Sequence, residues 1–377
     1  MKTRNYALGI FVILTSVVGT LAQKTTLRPD NLKSGAVYVM TNQTANSVIA
    51  FSRDPKDGTL TEVDTELTQG AGNPVPPVDP LGSQGALILS DDFSFLFAVN
   101  AGSDEVSVLS VVKGGLDFVQ KISSGGTRPI SLTTFGNWLY VLNAGGTPNI
   151  TGFTIGDDGT LTPIAGSTRP LIGGAAAGPA QVGFNNEGTL LAVTEKMGNR
   201  INTYTVDSNG VASAPISNPS SGMTPFGFEF TSSGFLIVSE AFGGMPNLSA
   251  VSSYSVSGSG TLGLESGSVP NQETAACWVV TTNSGKYAFV SNTGSATISS
   301  YSIAEDGALT LIDGAAAETG AGSSPTDMAL SINSHFLYVL ESASHTVSAY
   351  RIENGGALTF IDEFGTFPPG AQGIAAK

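Results

Sequence analysis

Residues 327–363 read DMALSINSHFLYVLESASHTVSAYRIENGGALTFIDE. Four short runs of strand-forming residues lie within them: Asp327 to Ile332, Phe336 to Leu340, Thr346 to Ile352 and Leu358 to Glu363. β-branched and aromatic residues fill the runs, and Asn, Ser and Gly fill the gaps, so the stretch predicts a four-stranded antiparallel meander. Its second run is apolar at every position rather than at alternate ones, the pattern of a strand covered on both faces. Gly355-Gly356 supplies the positive φ that the last tight turn needs.

Upstream, the same unit recurs. An Asn or Glu closes the second run of each unit, at Asn42, Asn100, Asn143, Glu195, Glu240, Asn292 and Glu341, a mean spacing of about 50 residues. The last turn of each unit also recurs, as Asp57-Gly58, Gly114-Gly115, Asp158-Gly159, Asn209-Gly210, Ser259-Gly260, Asp306-Gly307 and Gly355-Gly356. Two independent markers thus count seven units, which predicts an all-β, seven-bladed β-propeller over residues 35–377. The ends agree. The first unit starts directly at its second strand, Ala36 to Met40, and the chain finishes with a lone inner-strand segment, Gly373-Ile374-Ala375-Ala376-Lys377. The C-terminal strand is therefore expected to complete blade one and close the ring, removing exposed sheet edges.

Composition sets further bounds. Residues 1–22 read as a signal peptide: Lys2 and Arg4 are basic, Ala7 to Val18 is nearly all apolar, and Thr20-Leu21-Ala22 offers a cleavage site. Residues 23–34 form an N-terminal lead, and a secreted, extracellular, monomeric protein is expected. The formal charge is −14, and loss of Lys2 and Arg4 with the leader makes it two units more negative. Nucleic acid and membrane surfaces are poor partners for such a chain. Cys277 is the single cysteine, in an apolar run, so no intrachain disulfide forms and an inert buried thiol is expected. Asn42, Asn149 and Asn247 head glycosylation sequons. A Pro-rich excursion, residues 70–83, either covers a surface or rims a mouth. No spacing of ligands suggests a metal, and no cofactor motif is present.

Val-Tyr-Val at the start of blade one and the Asp-Gly-x-Leu-Thr turns carry a resemblance. So do Ala101-Gly102-Ser103-Asp104-Glu105-Val106, and Gly178-Pro179-Ala180-Gln181-Val182-Gly183-Phe184 followed by Val193-Thr194-Glu195. Over roughly residues 35–377 the chain resembles the seven-bladed lactonase propellers, which include 6-phosphogluconolactonase-like enzymes and fungal carboxymuconate cyclases. The resemblance implies an Arg and a His in blade four, but here they are Ala180 and Gln181; only the following Glu195 remains. Blade two has Ser83-Gln84-Gly85 in place of a His-rich stretch. Blades six and seven have Asn292-Thr293 and Pro325-Thr326 in place of Asn-Arg and Pro-Arg. Lactone chemistry needs a proton carrier and a cation for the oxyanion, and Gln and Ala supply neither.

In a propeller the loops after the second strands share a face with those leading into the inner strands. That mouth face is expected to gather Glu195, Glu240, Glu341, Gln84, Gln181, Asp327 and Arg128, with Arg169 nearby. The Asn/Glu ring has two readings: bonding to neighbouring loop N–H groups, or an amide-rich acidic mouth for a small hydroxylated ligand or an extracellular protein or glycan. The leading expectation is a non-catalytic binding propeller. The alternative is a divergent lactonase or cycloisomerase using Glu195 or Glu240 as base and Arg128 or Arg169 as anion clamp. The resemblance further implies that Arg and His restored at positions 180 and 181 rebuild a general base and an anion clamp beside Glu195, with a gain of lactone hydrolysis over the parent chain.

Overall fold

A computed structural model describes residues 35–76 and 78–377; residues 1–34, on which the readings of a signal peptide and a lead fall, lie outside the described residues. Seven antiparallel sheets form in chain order, six with four strands and blade three with five. Blade seven has strands Pro325–Leu330, Phe336–Glu341, Thr346–Ile352 and Leu358–Phe364. Its first strand begins two residues before the expected Asp327 and stops before Ile332. The reason is local: the register shifts between Thr326 and Met328, Asp327 takes a φ of 26°, and Ser331 already opens the turn. The same irregularity recurs in the inner strands of blades three to six, near Pro129, Pro179, Pro225 and Ala276.

Closure takes the expected form. Ile374–Ala376 pairs antiparallel with Gly35–Met40, with Tyr38 opposite Ala375. Met40 N–H donates to Gly373 O at 2.9 Å and Lys377 N–H to Ala36 O at 2.9 Å. The Arg53 guanidinium adds a bond to Lys377 O at 3.2 Å. The sheet of blade one is thus completed by both ends of the domain, and every inner strand is paired.

Blades interlock through the turn glycines. Gly58 has a φ of 82°, and a Cβ there would lie 2.5 Å from the Phe336 ring of blade seven. Its carbonyl accepts from Tyr338 Oη at 2.8 Å. Gly210 meets Trp138 and Tyr140 of blade three in the same way, with Tyr140 Oη to Gly210 O at 2.7 Å. These turns need glycine both for positive φ and for space. The second strands they cover are almost wholly buried, as the uninterrupted apolar runs require.

Candidate functional site

The Asn/Glu ring lies on the predicted face, but its side chains turn sideways into the seams between and within blades. Asn100 accepts from Thr68 Oγ1 at 2.7 Å and from Asn46 at 3.0 Å, and donates to Ser107 at 2.7 Å, stitching blade two to blade one. Asn292 is held alike by Asn271 and Ser299, and Asn143 donates to Ser124 O. Glu195 is fully buried; it takes the Gly173 N–H at 3.0 Å and the Asn202 carboxamide, with Arg200 at 3.6 Å. Glu240, equally buried, takes the Gly222 N–H at 2.7 Å and the hydroxyls of Ser252 and Ser268. The expectation that these carboxylates face a ligand is therefore corrected: backbone N–H and hydroxyl donors saturate them inside the wall. Glu341 is also fully buried, with neither carboxylate oxygen hydrogen-bonded, and burial pushes its pKa up to about 7. Asn42 departs from the ring. It lies two residues beyond its strand and gives its carboxamide to Asn73 O and Gly370 O. Buried and engaged in this way, Asn42 has no room for a glycan. Of the other sequon residues, Asn149 is half-buried and Asn247 is exposed.

The mouth itself is covered by the chain. The excursion packs over the face, with Gly72 N–H on Gln43 O at 2.7 Å and Gly102 N–H on Ala71 O at 2.8 Å. Ser83 to Gly85 then crosses the top of the central channel. Ser83 Oγ reaches Ile130 O of blade three, Gln84 N–H reaches Ala180 O of blade four, and Trp278 Nε1 of blade six donates to Ser83 O at 2.9 Å. Gln84 donates to Val279 O at 2.7 Å. Of the two roles open to the Pro-rich loop, covering is the one it takes.

Two cations hold the cover. Arg128 Nη2 donates to Pro80 O at 2.9 Å and Lys196 Nζ to Gly82 O at 2.6 Å, with the Lys196 ammonium 4.6 Å from the Phe226 ring centroid. Asp79 accepts from Gln372 at 2.7 Å and from Gly82 N–H at 2.9 Å. Burial raises the Asp79 pKa to about 6, against the pull of Lys196. Burial also lowers that of Lys196, while Asp79 resists the change. Arg169 stays off the mouth: it bonds Ser213 O and Gly166 O in the seam to blade four, so the proposed anion clamp is not assembled there.

Beneath the cover the channel is a blind well of about 490 Å³ that opens on the opposite face. Gln84, Gln181, Asp327, Glu229 and Asp91 are its main polar groups, and no Lys, Arg or His among the described residues lines it. Gln181 is fixed by a paired bond to the Phe228 backbone, at 3.0 and 2.7 Å. Asp327 is 2% exposed; its Oδ1 accepts the Met328 N–H at 3.0 Å and its Oδ2 makes no hydrogen bond. Burial raises Asp327 to about 8 and Glu229 to about 7. Glu229 also borders a second recess, of about 470 Å³, beside Asn186 and Asn283 at the open end. Among the described residues, no group of three or more His, Cys, Asp or Glu could hold a metal ion.

Sequence reasoning singled out Gln84, Gln181 and Asp327, which line the well, and Arg128, which holds the cover, but did not name Asp79, Lys196 or Glu229. For Glu229 there was a signal: a lone acid within the apolar run Phe226-Gly227-Phe228-Glu229-Phe230 of an inner strand. Asp79 and Lys196 carry none, because they meet only through the excursion.

A closed seven-bladed propeller with blade-specific polar groups at its axis defines the class of protein. The chain belongs to the lactonase, 7-bladed β-propeller family, whose sequence model matches residues 33–170 and 264–372. The stretch between those matches holds blades four and five, where Ala180 and Gln181 sit. Among solved structures, a candidate 6-phosphogluconolactonase from Bacteroides uniformis is 17% identical, with a TM-score of 0.71, covering 91% of this chain and 99% of that one. One from Bacteroides fragilis is 19% identical, with a TM-score of 0.68, covering 91% and 97%. The periplasmic gluconolactonase of Pseudomonas aeruginosa is 15% identical, with a TM-score of 0.70, covering 91% and 98%. At such identities the likeness is one of fold. No curated protein matches the sequence.

Proposed function

We propose that this chain is a secreted, non-catalytic member of its family that holds a small hydroxylated or cationic ligand in its central well. One observation carries the reading: among the described residues the well has three carboxylates, Asp91, Glu229 and Asp327, and no cationic side chain in its lining. An anionic sugar acid or a developing oxyanion finds no counter-charge there. The mouth cations are engaged by the carbonyls of Pro80 and Gly82. Export is supported by the basic and apolar N-terminal pattern of residues 1–22.

The rival reading takes lactone opening from the names of the solved relatives. The two are separated by incubating the protein with gluconolactone and a muconolactone, and by titrating it with xylitol and with gluconate. No turnover above the uncatalysed rate, with xylitol bound and gluconate not, is the expected result. Lactone turnover that disappears in Glu195→Gln overturns it.

A further inference from the structure

We propose that the central well is a site for an organic amine, with Asp327 and Glu229 as its two anionic anchors at successive depths. The inference rests on the well being the ligand site and names the chemical class it takes.

Depth follows from register. Pro179, Pro225 and Pro325 each pair with the residue that closes the neighbouring strand, Glu195, Glu240 and Glu341, so the three inner strands start at one level. Counted on the paired strands, Asp327 sits in the register shift between the partners of Leu340 and Val339, one to two residues below that level, and Glu229 lies opposite Ile237, three below it; both residues line the well. Between one and two residues of strand thus separate the anchors along the axis, roughly 5 Å. Gln84, which closes the well, bonds Val279, whose partner Val290 is two residues in from Asn292, so Asp327 stands at about the level of Gln84 and Glu229 lies toward the open end.

Asp327 supplies the observation that asks for a ligand. It is 2% exposed, it lines the cavity, and its Oδ2 accepts nothing. The Ile374 N–H lies close by without closing a hydrogen bond. A buried carboxylate with one oxygen unpaired and no counter-charge is costly in its charged form unless a cation meets it. The groups facing Asp327 are the Met328 and Ile374 N–H, the neutral amides of Gln84 and Gln181, and Asp79 across the cover. Within the well itself no protein cation balances Asp327 or Glu229. Phe184, Phe228, Phe230 and Met328 also border the well, with their side chains packed into the seams between blades. A metal ion is a poor fit, because a single carboxylate stands at each level and calcium takes six to eight oxygens. An ammonium needs only a carboxylate and one or two neutral acceptors.

Isothermal titration with 1,5-diaminopentane, set against 1,5-pentanediol, tests the assignment. The diamine is expected to bind at least tenfold tighter than the diol. Asp327→Asn and Glu229→Gln should each weaken the diamine at least tenfold and leave the diol within twofold, with unchanged melting confirming the fold. Glu229, the less buried of the two, is the safer variant. Because Glu229 is raised to about 7 and Asp327 to about 8, both give up protons across this range, and diamine affinity should climb several-fold between pH 6 and 8, with proton release visible as buffer-dependent heat. Equal binding of diol and diamine, no diamine binding, or indifference to both substitutions overturns the inference. If xylitol binds while the diamine does not, the amine assignment fails and the binding propeller stands. If lactone is turned over and nothing binds, both fail.

Discussion

The Gln84 carboxamide donates to Val279 O at 2.7 Å and accepts the Val279 N–H at 3.0 Å, joining blade two to blade six across the channel. One side chain thereby satisfies an inner strand on the far side of the ring and closes the well. Gln84→Ala removes both bonds and strands a buried N–H and C=O, at about 3 kcal/mol. The expected result is a melting temperature lower by several degrees. Unchanged melting would show that the bridge is not a structural tie.

Closure by the C-terminal strand makes a second prediction. Deleting residues 373–377 removes the bonds from Met40 N–H and Lys377 N–H, the Lys377 O acceptor of Ala36 and Arg53, and the buried Ile374. The backbone pairs alone are worth roughly 4 kcal/mol. Melting should fall by more than in Gln84→Ala, and amide exchange should rise in Gly35–Met40, which becomes an edge. Protection of that strand in the truncated protein would count against closure as a stabilising device.

The acid dependence of stability should run opposite to that of a protein held by ionised carboxylates. Asp79, Glu229, Glu341 and Asp327 have folded pKa values raised to about 6, 7, 7 and 8, all by burial first. A raised carboxyl binds its proton more tightly folded than unfolded, so its contribution to stability is greatest below the unfolded pKa and falls as pH rises until it has passed the folded one. The window runs from about pH 4, the unfolded value, to about pH 8. Below it, the exposed turn carboxylates Asp57, Asp158 and Asp207, lowered by hydrogen bonds to backbone and side chains of their own turns, lose their contribution. Melting temperature measured by calorimetry should therefore peak near pH 4 to 5 and decline toward pH 8. Asp327→Asn should flatten the upper part of that decline. A melting temperature that rises from pH 5 to 8 would contradict the assignment of these four groups as neutral acids.

Blade number, closure and the recurring ring were legible because each depends on local chemistry repeated seven times. Gly58 and its equivalents must adopt positive φ, and Asn100 and its equivalents must satisfy seams that every blade has. The position of the site was not legible for the opposite reason. Residues 70–85 occur once, and their contacts reach Gln372, Lys196 and Val279, each more than 100 positions away in sequence. A covering loop and a rimming loop have the same composition, and only three-dimensional packing tells them apart. Reading Glu195 as a mouth residue rested on the blade-four resemblance and on its place in the ring. Of the two readings of the ring, bonding to a neighbouring loop N–H is the one Glu195 takes, through Gly173.

That packing reverses the expectation for restored chemistry. Ala180 is fully buried and its carbonyl accepts the Gln84 N–H, while Gln181 holds the Phe228 backbone from both sides. An Arg at 180 must force its guanidinium beneath the cover, and overpacking of this kind costs about 1–3 kcal/mol before any charge is desolvated. A His at 181 cannot donate and accept in the same pair of bonds to one peptide. Glu195 stays sealed in its wall, bonded to Gly173, so the three groups do not converge on a shared reacting atom. Ala180→Arg with Gln181→His is therefore expected to melt at least several degrees below the parent and to hydrolyse gluconolactone no faster. The measurement is initial rate at pH 7 beside a melting curve for both proteins. A double variant that stays folded and gains lactone turnover would place positions 180 and 181 at an accessible site and show that the cover lifts in solution.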